Sequence, residues 1–320
     1  MDLRTARGQK AESLRKSFRS FKDRFEVVEI ADISRDQVGD AMKGVWALIH
    51  LAYYMPRPDE QAQEMINGTV DGAMNIIKQA EAHGIRHIVV TGSTAAVRNP
   101  RGTYNHDDWN PITKEEAINS RNFLEIYCAA KKYSELAIWE WAEAHPRVEV
   151  TVVSPPAVYG PWPEDLYLPT PIFSAMTPVF WNLIKPDGQF SVFPGYVDVR
   201  DVANAHIRAI THSVPTSQAG RKRLVFSSPH HDWNWASAVG ILKEKRPELK
   251  ERLIKATPSS QSIKHITTDF KRIEEVLSIR EDDFLTFEQT LLDAIDNYAK
   301  LEQEWLKDGH EVNPPSPISP

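Results

Sequence analysis

Two periods of hydrophobic and polar positions alternate along this chain: short β-branched runs and longer stretches with helical spacing. Residues 25–33 (FEVVEIADI) and 45–52 (VWALIHLA) are apolar and β-branched, as strands buried in a parallel sheet are. A helical pattern over about 60–82 ends at Gly84, a residue suited to stopping a helix. Strand 86–92 (RHIVVTG) follows, then a long helix over about 121–144, then strand 148–154 (VEVTVVS), stopped by Pro155-Pro156. Further on, strand 223–228, a helix near 234–245 and a C-terminal helix over about 286–306 are expected, with Asp198 or Asp201 capping the helix through VANAHIRAI. Strand–helix alternation of this kind predicts an α/β fold around a parallel sheet.

The pattern also places candidate chemistry. Ser93 falls just past the carboxyl end of one strand, and Pro155 to Pro161 just past another, where ligands bind in open α/β sheets. Tyr127 and Lys131 are four residues apart on the long helix and share a face. A free phenol has a pKa of about 10 and a free lysine about 10.4. A neighbouring ammonium lowers the phenol toward the working pH, where acid–base catalysis is most effective. Ser93 would hydrogen-bond a substrate oxygen and hold it against the phenol. Alone, a Tyr-x-x-x-Lys pair is equally a buried ring beside a solvated lysine. Its position after the strands gives it weight.

Five stretches carry a family resemblance: HLA (50–52), NGTVDGAMNIIKQAEAHGIRHIVVTGSTAAV (67–97), YCAAKKYSELAIWEWA (127–142), VVSPPAVYGP (152–161) and YVDVRDVANAHIRAI (196–210). In order and spacing, over about residues 4–300, the chain resembles the extended short-chain dehydrogenase/reductase family, in its NAD-dependent epimerase/dehydratase, dihydroflavonol-reductase-like branch. The resemblance implies a Rossmann-like doubly wound parallel sheet with a smaller C-terminal substrate lobe. Residues 1–160 and about 196–228 would form the NAD(P)-binding domain, 161–195 and 229–306 the lobe, and 307–320 a disordered tail. It implies catalytic roles for Ser93, Tyr127 and Lys131, with Lys131 also hydrogen-bonding the nicotinamide ribose. Pro155, Pro156, Ala157 and Val158 would lie against the nicotinamide, and Ala52 and Tyr53 would line the cofactor groove. Thr94 would add a second hydroxyl toward the substrate, with Trp162 and Tyr167 covering it.

The N-terminus departs from the family pattern. Relatives open with a strand, a Gly-x-x-Gly-x-x-Gly turn and a helix whose N-terminus holds the pyrophosphate. Here Met1 falls near the second strand, so a unit of about 30 residues is not in the sequence. Two readings stay open: a start recorded downstream of the true one, or a variant whose sheet closes differently and grips the cofactor weakly. Arg7 matches the basic residue that pairs with the 2′-phosphate in NADP-using relatives, with Arg4 and Lys10 near it, and a guanidinium suits a bidentate phosphate contact. NADP is therefore expected, with NAD the alternative. Arg7 and Lys10 equally fit one solvated basic face with Arg15, Lys16, Arg19, Lys22 and Arg24. Asp32 resembles the adenine-contacting acid and also suits a turn.

Composition narrows the rest. A chain of 320 residues accommodates one sizeable α/β core with a smaller lobe. A net charge of −6 argues against a nucleic-acid partner. A single cysteine excludes an internal disulfide framework and fits a reducing, cytoplasmic setting. That residue, Cys128, is turned away from Tyr127 by helical geometry and is expected to pack. No apolar run is long enough to span a membrane. The histidines offer no convincing metal set, the His83/His87 pair being broken by Gly84 and Ile85. Pro161, Trp162, Tyr167, Phe173, Phe180, Trp181, Phe190 and Phe193 suit an aromatic cover over an apolar ligand, or ordinary core. The function expected is NADP-dependent reduction of a carbonyl on a small, largely apolar metabolite. Nucleotide-sugar epimerisation with the same trio is the rival within enzymes, and a non-catalytic member without cofactor binding is the rival outside them. Ala95 and Ala96, where sugar dehydratases carry an acidic pair, disfavour dehydration.

Overall fold

The computed structural model describes residues 8–53, 61–102, 104–174, 176–191, 195–258 and 266–317. Helix α1 (Gln9–Ser17) precedes β1 (Ala47–His50), α2 (Ala62–Ala82) and β2 (His87–Thr91). Then come α3 (Lys114–Ser120), α4 (Phe123–Ala144), β3 (Glu149–Ser154) and β4 (Ala157–Tyr159). The second half holds α5 (Thr177–Trp181), β5 (Tyr196–Asp198), α6 (Val199–Thr211), α7 (Thr216–Ala219) and β6 (Lys222–Val225). Helices α8 (Trp235–Lys245), α9 (Phe270–Leu277) and α10 (Phe287–Lys307) follow.

The main sheet has the order β1-β2-β3-β6 with every pair parallel, and β4 and β5 form a second parallel pair. Alternation along the strands divides the apolar residues between two faces. Ile88, Val90, Val150 and Val152 pack with Ile76, Ile77, Ile138 and Trp141, so α2 and α4 cover one face. Val89, Val153 and Leu224 pack with Ala205, Ala209, Ile273 and Val276, so α6 and α9 cover the other. This is the doubly wound, Rossmann-type α/β arrangement. Gly84 stops α2 in a left-handed conformation, φ 84°, that a side chain would strain.

Residues 25–33 depart from expectation: they form no strand. No described strand runs beside them, and unpaired strand residues have no ladder to join. Their polar groups close locally instead. The Asp36 carboxylate accepts the N–H groups of Ala31 and Asp32, and Glu29 takes the Gly8 N–H and Arg15. β1 is therefore an edge strand among the described residues, and Trp46 and Leu51 on either side of it are about 60% exposed.

A separate aromatic core joins α5, α8 and α10. Trp181, 1% exposed, is stacked on Tyr298 at 5.0 Å and on Trp305 at 5.9 Å. Phe180 is equally buried there, and Phe173, Phe190 and Trp162 pack against the same cluster. Trp181 and Phe180 are core, and the other three rings are partly buried against it. Phe193 lies outside the described residues. The proline-rich end also differs from the free tail expected: Val312 packs on this core, Pro314 and Pro317 are buried, and Asn182 Nδ2 donates to the Pro315 carbonyl at 3.0 Å. Among the described residues no helix is long and apolar enough to cross a membrane.

Candidate active site

β2 runs into Gly92, whose missing side chain lets β3 pass closely: a Cβ there would stand 2.3 Å from Ser154 Oγ. Ser93 then caps a single 3₁₀ turn, Thr94–Ala96, its Oγ accepting from the Ala95 N–H at 3.1 Å. Two groups from outside pin this turn. The Thr94 N–H donates to the Pro155 carbonyl at 3.1 Å, and Asn110 Nδ2 donates to the Ala95 carbonyl at 3.0 Å. Ser93 is thereby fixed at the carboxyl end of the sheet.

Helix α4 brings the other two groups. Asn122 caps it through its side-chain oxygen, which accepts from Leu124 N at 2.8 Å, a residue type favoured there because it satisfies an orphan donor. The Tyr127 ring meets Tyr53 edge-on, centroids 5.7 Å apart, and lies parallel to Phe123 at 6.5 Å. Burial raises the Tyr127 phenol well above its ordinary value, and hydrogen bonding with Ser93 works against that shift. Lys131 Nζ donates to the Thr91 carbonyl at 3.2 Å and lies 5.1 Å from the Tyr53 ring centre. Burial lowers Lys131 to about 8, opposed by the charge of Glu135. The expectation that Lys131 would lower the phenol is corrected here. The ammonium is engaged by β2, and desolvation of the phenol dominates.

The remaining sequence candidates distribute unevenly. Tyr53 and the half-buried Ala52 follow β1 and adjoin Tyr127 and Lys131 through the Tyr53 ring. Pro155 is buried, Pro156 and Val158 half-buried, and Pro155 is tied to the Ser93 turn through Thr94. Asp32 is a turn residue: it accepts from Ser34 N at 3.0 Å and Ser34 Oγ at 2.6 Å and pairs with Arg35. Burial works to raise its carboxyl, and those bonds outweigh it and hold the group low. Lys10 sits half-buried on α1, while Arg7 and Arg4 lie outside the described residues. Trp162 packs against the aromatic core, and its backbone N–H donates to Asn297 Oδ1 at 3.0 Å. Tyr167 is turned toward α1, under the Lys16 ammonium at 3.4 Å, with its N–H bonded to Ser17 Oγ at 2.7 Å. The structure thus brings Ser93, Tyr127, Lys131, Tyr53 and Pro155 together, but not Trp162 or Tyr167. Cys128 is buried, its thiol pushed up by desolvation to about 11, as a packing residue is. Among the described residues no three His, Cys, Asp or Glu side chains are grouped to hold a metal.

Sequence reasoning assigned nothing to His50, Thr91 or Asn110. His50 is buried at the end of β1, and burial together with the Lys131 charge lowers it to about 4, so it is neutral near pH 7. Its place in the HLA stretch was a usable signal. Thr91 acts through a backbone carbonyl, which leaves no side-chain signature. Its Oγ1 also meets His206 Nε2 at 2.7 Å, and His206 Nδ1 faces the Val202 carbonyl; burial lowers this imidazole, favouring its neutral form.

The profile of the NAD dependent epimerase/dehydratase family matches residues 4–220. A Schizosaccharomyces pombe protein described as an uncharacterised oxidoreductase is 34% identical over 219 residues, which span 64% of each chain. The NADPH-dependent methylglyoxal reductase GRE2 of Saccharomyces cerevisiae is 28% identical, over 93% of this chain and 91% of that protein. The crystal structure of yeast methylglyoxal/isovaleraldehyde reductase Gre2 with NADPH is similar at a TM-score of 0.75 and 25% identity, covering 93% and 91% of the two chains. Alfalfa vestitone reductase, at 22% identity and a TM-score of 0.61, shares the fold.

Proposed function

The chain belongs to the NAD-dependent epimerase/dehydratase family, and from that premise we propose that it is an NADPH-dependent reductase of a small carbonyl compound with Tyr127 as proton donor. The observation that carries this reading is the meeting of a phenol, a hydroxyl and an ammonium at the carboxyl end of the sheet, at Tyr127, Ser93 and Lys131. Relatives that reduce methylglyoxal with NADPH along nearly the whole of this chain support reduction over epimerisation.

The residues fit the nicotinamide end of the cofactor. An ammonium has three protons to donate, and Lys131 gives one to Thr91, which leaves it able to hold the ribose hydroxyls. The segment from Pro155 to Val158 would give the ring an apolar wall, and Tyr53 would line the groove. For the pyrophosphate end the fit is incomplete: no strand–Gly-x-x-Gly-x-x-Gly–helix unit occurs among the described residues. Arg7, the candidate for the 2′-phosphate, lies outside them.

Bound NADPH supplies the hydride. Ser93 donates to the carbonyl oxygen of the substrate and holds it beside Tyr127. The phenol, kept protonated by its burial, delivers its proton to that oxygen as negative charge develops. Lys131 keeps positive charge close by and stabilises the phenolate left behind.

The rival reading is a family member that keeps the fold without binding nucleotide. Equilibrium titration with NADPH, followed by turnover of methylglyoxal and isovaleraldehyde, decides between them. Saturable binding and aldehyde-dependent oxidation of NADPH are expected. No binding at millimolar NADPH would sink the reductase reading.

A further inference from the structure

One buried acid on the face of α4 that carries Tyr127 and Lys131 has no part in that chemistry. Tyr127, Lys131, Glu135 and Trp139 recur every four residues and so form one stripe. Glu135 is 2% exposed, and its Oε1 accepts from Arg223 Nε at 2.6 Å and from Trp139 Nε1 at 3.1 Å. Arg223, 1% exposed on β6, is itself held: Nη1 donates to the carbonyls of His106 at 2.7 Å and Asp108 at 2.5 Å. Its guanidinium lies 3.8 Å over the Trp109 ring.

Glu135 Oε2 and Arg223 Nη2 have no hydrogen-bond partner among the described residues. A buried ion pair left unsaturated in this way is a poor means of stabilising a fold, because desolvation offsets its attraction. What the carboxylate does have is a cation one helical turn away.

We propose that Glu135 is a positioning residue for Lys131, its buried carboxylate holding that side chain in the ammonium form at the active site. The proposal rests on the reading in which Lys131 serves the reaction. Among the described residues, the groups that face Lys131 from other elements supply no negative charge. Thr91 of β2 offers a neutral carbonyl, His50 of β1 is neutral, and Tyr53 presents a ring. On α4 itself, Tyr127 is a protonated phenol. Arg223 of β6 faces the carboxylate and adds positive charge to the neighbourhood, so the need for Glu135 is not met from there. The direction of the Lys131 shift agrees: burial lowers it and Glu135 raises it.

The test is Glu135→Gln, which keeps an acceptor for Arg223 and Trp139 but removes the charge. The full chain labelled with ¹³C at lysine Cε is titrated by NMR, the Lys131 signal being identified by its loss in Lys131→Met. The Lys131 midpoint is expected to fall by about one pH unit, the size of a neighbouring charge's effect. The alkaline limb of the pH profile of kcat/KM should move to lower pH with it. Because Glu135→Gln leaves a buried guanidinium unpaired and can fail to fold, the double variant E135Q/R223M is also measured against Arg223→Met, so that loss of the Arg223 charge is common to both. The lowered midpoint should persist there. An unmoved midpoint in either comparison would overturn the proposal. Full turnover by Lys131→Met would instead remove the catalytic reading of Lys131, an outcome the NMR midpoint does not depend on.

Discussion

Lys131 on α4 donates its ammonium proton to the carbonyl of Thr91, the last residue of β2, across 3.2 Å. The bond ties the helix that carries the phenol to the strand that delivers Ser93. Both groups therefore hold a fixed distance from the end of the sheet, as a site built on rigid elements should. His206 supports the same point from the other face by its contact with Thr91 Oγ1 at 2.7 Å.

Lys131→Met removes the tether to Thr91, the charge near the phenol and the proposed donor to the ribose at once. The variant is expected to lose rate and NADPH affinity together, which steady-state kinetics and a nucleotide titration would separate. Unaltered affinity would show that the ribose contact is wrongly assigned.

The pH profile follows from the same two groups. Lys131, lowered to about 8, is charged below that value and neutral above it. The Tyr127 phenol is raised, so it stays protonated across the range in which the lysine titrates. Reduction measured against pH should therefore fall as pH rises through about 8. A rate that climbs through that range would identify phenolate as the active form and contradict the assignment.

Most of the sheet could be read from the sequence because its strands are short apolar runs and its helices long and periodic, and the structure keeps them within a few residues. Residues 25–33 have the same composition, yet they pair with nothing described. Composition reports that a segment suits a strand, while pairing depends on a neighbour. Tyr127, Lys131 and Ser93 were visible through spacing and place. Their electrostatics was not, since the phenol's shift and the lysine's are both set chiefly by burial, which only the fold determines. The packing of Trp162 on the aromatic core and of Tyr167 beside Lys16 was not legible either, since an aromatic ring that fills a core and one that covers a ligand look alike in a sequence.

Asp201 makes a stability prediction independent of catalysis. Its carboxyl is raised to about 7, chiefly by burial, with the Leu285 N–H opposing and Asp198 adding to the shift. A carboxyl whose folded pKa is raised stabilises the fold below its unfolded value, and that stabilisation is lost as pH rises through about 7. Asp201→Asn avoids the buried charge. Relative to the native protein its Tm should be higher above about pH 7, and the difference should shrink as pH falls. A difference independent of pH would mean that Asp201 is not titrating in this range.

Trp181 anchors the second core. It is fully buried between Tyr298 and Trp305, so Trp181→Ala should cost about 3–5 kcal/mol in urea unfolding. A cost under about 1 kcal/mol, as for a surface substitution, would show that the aromatic cluster is not the core of this part of the chain.

The central claim is proton delivery by Tyr127 in an NADPH-dependent reduction, and one comparison tests it directly: NADPH oxidation driven by methylglyoxal, in the native chain and in Tyr127→Phe. The account predicts aldehyde-dependent oxidation by the native protein and a loss of about 10²–10⁴-fold in the variant, with its circular dichroism and NADPH affinity unchanged. Equal rates in the two proteins would contradict it.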